Sequence, residues 1–158
     1  MKTKKGYFLL LWCFSTVGVL AFILGNSLRP ASVSGAQSAE VYGILQRLLY
    51  FLPFLTHGVV RVLAHVAEFA LLGAHFFVLP FFFSEKSRTF RVLLFLVGAL
   101  FAIVDEGIQA FVPGRAASML DVLTDGLGYL LGAFVALCFY CLLAKRKKKG
   151  ERYASTAL

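Results

Sequence analysis

Four apolar runs, each long enough to cross a lipid bilayer, decide what this 158-residue chain can fold into. A helix that crosses ~30 Å of hydrocarbon at ~1.5 Å per residue needs about 20 largely apolar residues. Tyr7 to Leu24 is one such run and carries no charge; the others cover about residues 61–83, 92–111 and 119–144. Apolar residues make up 59% of the chain and charged ones 15%. A soluble domain has roughly 45–50% and 25%, so a water-soluble fold would leave far too much apolar surface wet. The composition implies an all-α integral membrane bundle of four transmembrane helices. The first run, preceded by Lys2, Lys4 and Lys5, has some features of a signal peptide, with Ser34-Gly35-Ala36 as a weak cleavage site. Its apolar stretch exceeds the usual ~7–15 residues of such signals, and it reads as a retained anchor.

Between the first two spans, Gly25 to Glu40 is rich in small and polar residues and reads as a loop. Val41 to Leu55 is apolar but interrupted by Gln46, Arg47 and Pro53. It is too short and polar to span, and an interfacial or re-entrant helix with Arg47 snorkelling to the headgroups is expected. Cys13, Cys138 and Cys141 lie inside apolar runs, which argues against a disulfide framework or a cysteine zinc site and suggests small core hydrophobes.

The net charge of +8 is not that of a nucleic-acid binder. Twelve of the sixteen basic residues flank apolar runs: Lys2, Lys4, Lys5, Lys86, Arg88, Arg91, the five residues 145–149, and Arg152. Such clustering is a topology signal that marks the cytoplasmic side. Four spans place both termini on that side with the 84–91 loop, and the 25–60 and 112–118 connections outside. Residues 1–145 then form the transmembrane domain, and 146–158 a basic, disordered cytoplasmic tail.

Helical rise converts this topology into depth. From Phe83, Glu68 lies about 22 Å and His65 about 27 Å up; from Val92, Asp105 and Glu106 lie about 20 Å and Gln109 about 26 Å up. Counting back from Ala144, Asp125 reaches about 28 Å and Asp121 about 34 Å. Three helices thus deliver polar residues to the outer third of the bilayer, with Arg61, Arg115 and Asp121 as a rim. A central aspartate costs at least ~2.5 kcal/mol on insertion scales, so such groups pair or line a watery cavity, and the default reading is an outward-facing functional site. Arg61, His65 and Glu68 share one helix face, and so do Glu106 with Gln109 and Asp121 with Asp125. Facing carboxylates repel unless protons, the two arginines or a metal intervene.

Blander roles compete for several residues. His65 and Glu68 could form a structural hydrogen bond across the bundle. His75, near mid-membrane, reads as a packing histidine, and His57 as a solvated loop residue. Gly128 and Gly132 make a small-xxx-small pattern that permits close helix packing.

The run Asp105-Glu106-Gly107-Ile108-Gln109-Ala110-Phe111-Val112-Pro113-Gly114-Arg115 resembles the VanZ-like family, whose pattern is an acidic-Glu pair, a Gln three residues on, then Pro-Gly-Arg. Asp121-Val122-Leu123 with Asp125-Gly126-Leu127-Gly128 is similar to the family's Asp-x-x-x-Asp/Asn-x-x-Gly element. The segment from Val60 to Phe69 resembles its Arg-Lys-x-x-His-x-x-Glu-Tyr stretch, with Val62 where a lysine is common. Asn26-Ser27 and Ser38 resemble its serine-rich first outer loop. The family is named for a protein that confers low-level resistance to teicoplanin, a lipoglycopeptide. The resemblance implies a bacterial cytoplasmic-membrane protein that influences that drug.

Two classes of function fit these residues. In the first, a non-enzymatic pocket binds a lipid headgroup, a lipid-linked cell-wall precursor or the lipoglycopeptide. Arg61 and Arg115 would grip a phosphate, and Asp105, Gln109, Ser118, Asp121 and Asp125 would complete the ligand site. In the second, an enzyme acts on a lipid-linked substrate with Glu106 or Glu68 as general base and His65 as proton shuttle. Asp121 and Asp125 would then hold a divalent cation, Mg²⁺, Mn²⁺ or Ca²⁺ by the oxygen-rich donor set, and Ser118 is the only hydroxyl beside a rim arginine. A proton-coupled carrier, completed as a homo-oligomer, ranks third, because four spans show no paired repeat.

Overall fold

The computed structural model describes residues 2–51, 54–82 and 87–156, and none of them is in a strand. In chain order the helices are α1 (Lys2–Ser27), α2 (Ala31–Leu48), α3 (His57–Phe77), the single turn α4 (Leu79–Phe82), α5 (Arg88–Gln109) and α6 (Met119–Thr156). Four of them, α1, α3, α5 and α6, are long and apolar enough to cross a membrane. The protein is an all-α membrane bundle. Its apolar outer faces agree: Leu11 and Phe14 on α1 and Leu127 and Phe134 on α6 are all more than 60% exposed. Surface of that kind on every span requires a lipid solvent.

Three expectations change. The stretch read as a loop, 25–40, is largely helical. α1 continues to Ser27, and α2 starts at Ala31 behind Pro30, whose fixed φ (−54°) suits the residue before a helix. The interfacial helix therefore ends at Leu48 rather than reaching 55, and positions 52 and 53 lie outside the described residues. Residues 146–156, expected to be disordered, continue α6, because Lys, Arg and Glu are good helix formers and propagation from an existing helix avoids nucleation. Cys13, Cys138 and Cys141 are free but exposed on outer helix faces instead of packed in the core. Of the expected inner loop, residues 84–86 lie outside the described residues.

The bundle is organised by α3 against α6, its most extensive helix pair. Glycine makes that pairing possible. A β-carbon at Gly132 would strike the backbone carbonyl of Ala70, and one at Gly128 would lie 2.6 Å from the carbonyl oxygen of Val66. On the opposing helix Gly73 sits against the carbonyl of Tyr129. Without a hydrophobic driving force between lipid-solvated helices, such close backbone approach is a main source of association. The sequence pattern at Gly128 and Gly132 is thus a packing seam, as its spacing suggested.

Tyr129 extends the seam to α5. Its ring is 2% exposed, fills the space left by Gly98, and its hydroxyl donates to the carbonyl of Leu94 at 2.7 Å. Phe69, Leu72, Phe77, Ala102 and Ala133 pack around it. α1 joins through Trp12, whose indole N–H donates to the His75 carbonyl at 3.2 Å and whose ring stacks on the His75 imidazole. His75 also meets Thr16 Oγ1 at 2.8 Å through Nε2, so this packing histidine does have polar partners.

The glycine seam yields a stability test. Gly132→Val should lower the thermal unfolding midpoint in detergent, at a cost of about 1–3 kcal/mol or more, because neither backbone can yield. Gly126→Ala, on the same helix but with nothing near the added carbon, should be neutral or stabilising by up to about 1 kcal/mol. Equal midpoints for the two variants would contradict the seam.

Candidate functional site

At the end of the bundle where α1, α3 and α5 meet the start of α6, five segments bring polar side chains together. The last turn of α1 supplies Asn26 and Ser27. α3 supplies Arg61, His65 and Glu68, and the end of α5 supplies Asp105, Glu106 and Gln109. The 110–118 connection supplies Arg115 and Ser118, and α6 supplies Asp121 and Asp125.

Local rules set these positions. α3 is capped by Thr56, whose hydroxyl accepts from Val59 N–H at 3.2 Å. α5 closes at Gln109 through a turn in which Val112 N–H reaches the Gln109 carbonyl at 3.0 Å. Pro113 then stops any continuation, and Gly114 takes φ of 78°, a left-handed conformation open to glycine at no steric cost. Ser118 caps α6: its hydroxyl accepts from Asp121 N–H at 3.3 Å.

Asp105 and Asp125 are the buried centre, 2% and 0% exposed. Asp105 accepts from the Ser27 hydroxyl and from Gln109 Nε2, the latter at 2.7 Å. Asp125 Oδ1 meets His65 Nδ1 at 3.1 Å. Glu106 Oε1 accepts from the Ser118 backbone N–H, and Glu68 Oε1 from Asn26 Nδ2 at 2.7 Å. Among the described residues, three buried oxygens, Glu106 Oε2, Gln109 Oε1 and Asp125 Oδ2, have no hydrogen-bond partner. One donor atom each from His65, Asp105 and Asp125 lie within 4.8 Å of one another, a spacing that a single cation can bridge.

The rim arginines have different jobs. Arg61, with its side chain 45% exposed, makes one 3.3 Å contact to Asp121. Arg115 is a strut: Nη1 donates to the carbonyls of Ser27 at 2.9 Å and Asn26 at 3.5 Å, and Nη2 to Ser34 Oγ at 3.0 Å. It thereby caps the C-terminus of α1. Partial burial, then the like charge of Arg61, pulls the Arg115 guanidinium below its usual range, against the pull of Asp105, Glu106 and Glu68. Two cavities of about 490 and 560 Å³ flank this rim and share Ser34, Ser38, Arg61 and Arg115 in their walls.

All ten residues singled out in the sequence fall at this end of the bundle, with altered pairings. His65 meets Asp125 rather than Glu68. Asp121 faces Arg61, and the donor atoms that come together around Asp125 are those of His65 and Asp105. Ser118 serves as a helix cap, and Ser34 is a second hydroxyl beside a rim arginine. His57 is the first residue of α3 and packs on Tyr42 at 4.1 Å between ring centroids. Asn26 and Ser27 are the site residues that the depth map missed. Their signal was present in the sequence, as two amide and hydroxyl side chains closing an otherwise apolar span.

The strut role of Arg115 predicts a local effect. Arg115→Ala should raise amide hydrogen exchange across residues 26–38 and 110–118 and destabilise the fold by about 1.5–3 kcal/mol. Arg115→Lys should rescue little, since lysine lacks the forked donor geometry. Unchanged exchange in both segments would remove the strut.

The VanZ/LLP1 family model matches residues 8–142. No curated protein and no solved structure matches the chain. The matched region runs from the first turns of α1 almost to the end of the apolar part of α6 and includes every residue of the polar site. The chain belongs to the VanZ/LLP1 family.

Proposed function

We propose that this protein binds the anionic headgroup of a membrane lipid or lipid-linked cell-wall precursor at the polar end of its bundle, and through that binding modulates susceptibility to teicoplanin. In this reading it lies in a bacterial cytoplasmic membrane with both termini cytoplasmic and the pocket outward. The observation that carries it is the mixed wall of the 490 Å³ cavity. Arg61, His65 and Glu68 line it together with Phe22, Val41, Leu45 and Leu63. An amphiphile needs that combination, a cation for its phosphate and an apolar groove for the adjoining chain. Arg61 is the anion contact, because the guanidinium of Arg115 is held by α1 carbonyls and Ser34.

Native mass spectrometry of protein released from phosphatidylglycerol nanodiscs tests the reading. Wild type should retain the anionic lipid, and Arg61→Gln should weaken retention roughly tenfold or more, as expected for a lost charged hydrogen bond. Arg146→Gln, at the far end of α6, should leave it unchanged. Equal retention by Arg61→Gln would defeat the headgroup site. In a sensitive Gram-positive host, wild type should protect against teicoplanin more than vancomycin, and Arg61→Gln at matched expression should lose that protection.

One observation favours a second reading, an acid–base enzyme acting on a lipid-linked substrate. Glu106 has one oxygen fixed by the Ser118 N–H while the other is buried without a partner, an arrangement suited to a proton acceptor. Turnover of a lipid-linked sugar abolished in Glu106→Gln, with lipid retention intact, would select this reading over simple binding.

A further inference from the structure

The His65–Asp105–Asp125 cluster lies at the junction of α3, α5 and α6, and its two carboxylates are fully enclosed. An acidic cluster is held together by whatever cations or protons it contains, so its remaining donors and acceptors have to be counted. Ser27 and Gln109 each donate to one oxygen of Asp105. Asp125 has one oxygen on His65 and the other unpartnered. Gln109, itself 0% exposed, donates its amide N–H to Asp105 and leaves its carbonyl oxygen buried and unpaired beside the same cluster. Each unpaired buried acceptor is unfavourable, a charged one more so. The nearby basic side chains do not relieve them, since Arg61 faces Asp121 and Arg115 faces backbone carbonyls.

We propose that His65, Asp105 and Asp125, joined by the Gln109 carbonyl oxygen, form a binding site for one first-row divalent cation of the Mn²⁺ or Zn²⁺ type. Two ligands on a common ion at ~2.1–2.4 Å are at most about 4.2–4.8 Å apart. The three donor atoms, all within 4.8 Å of one another, meet that condition. One imidazole nitrogen among oxygens favours Mn²⁺, Fe²⁺ or Zn²⁺; Ca²⁺ takes about six to eight oxygens and Mg²⁺ keeps most of its water. Ser27, by hydrogen-bonding Asp105, orients a ligand from the second layer of contacts, as metal sites commonly require. The ion would tie three transmembrane helices at one point. The site is independent of the lipid reading, and its test needs no lipid ligand.

The experiment uses the full chain, purified in detergent, stripped with EDTA and titrated with MnCl₂ while free Mn²⁺ is followed by its six-line electron paramagnetic resonance signal. Wild type should bind one equivalent, compete with Zn²⁺, and gain thermal stability as the ion is added. Spin-echo spectra of the bound ion should show a coordinated imidazole nitrogen that disappears in His65→Gln but persists in His57→Gln and His75→Gln. Asp105→Asn and Asp125→Asn should each weaken binding at least about tenfold, while Asp121→Asn binds as wild type. Wild type that takes up neither Mn²⁺ nor Zn²⁺ at millimolar concentration overturns the site, leaving protons as the neutralising species. Bound Mn²⁺ without an imidazole coupling also overturns it, and this readout holds even if a carboxylate variant does not fold. Binding lost in Asp121→Asn but kept in Asp125→Asn would place the ion elsewhere.

Discussion

Carboxylates enclosed among transmembrane helices are the constraint on which this structure depends. In lipid there is no water to solvate them, so each must find donors within the protein. The donors come from elements far apart in sequence. Asp105 of α5 takes the Ser27 hydroxyl of α1, Asp125 of α6 takes His65 of α3, and Glu68 of α3 takes Asn26 of α1. Glu106 takes a backbone N–H from the 110–118 connection. These four bonds link every long helix at one end of the bundle, and the site is also the polar fastening of the fold.

Close packing makes those bonds reachable. Gly128 lies three residues beyond Asp125 on the same face of α6, and Val66, whose backbone it touches, is next to His65. The approach that glycine permits between α6 and α3 therefore sets the distance from imidazole to carboxylate. A bulkier seam would separate Asp125 from its partner without altering a single polar residue. Tyr129 and Gly98 hold α5 to the same seam from the other side, which fixes Asp105 relative to both. The apolar seam and the polar site are two ends of one packing solution.

Much of this was legible in the sequence, because bilayer thickness and helical rise are strict rulers. They identified four spans and placed His65, Glu68, Asp105, Glu106, Gln109 and Asp125 at one depth. Which pairs form was not legible. Depth does not reveal rotation, and the rotation of α3 against α6 is set by backbone contacts at Gly73, Gly128 and Gly132. Arg115 was read as an anion grip because a rim arginine in a Pro-Gly-Arg turn shows only its charge; its role as a cap depends on where α1 ends, and α1 ends three residues later than hydropathy suggested. The error at α2 has a similar origin. A segment of Ala, Ser, Gln and Gly lacks an apolar period, and its helix is held by tertiary contacts at its first turn.

That weak attachment sets α2 apart from the rest. None of its residues is buried. Its start is tied down by Ala31 N–H on the Pro113 carbonyl and by Arg115 on Ser34, and farther along Tyr42 rests on His57. Yet Ser34 and Ser38 form part of the wall of both cavities, and Val41 and Leu45 part of the apolar lining of the 490 Å³ one. The site thus combines a floor of buried, mutually bonded groups on α1, α3, α5 and α6 with one wall of low local stability. Elements with few buried contacts open at low free-energy cost. The arginine rim is thus walled on one side by the sparsely packed α2, whereas the polar groups beneath it are held by the glycine-packed helices.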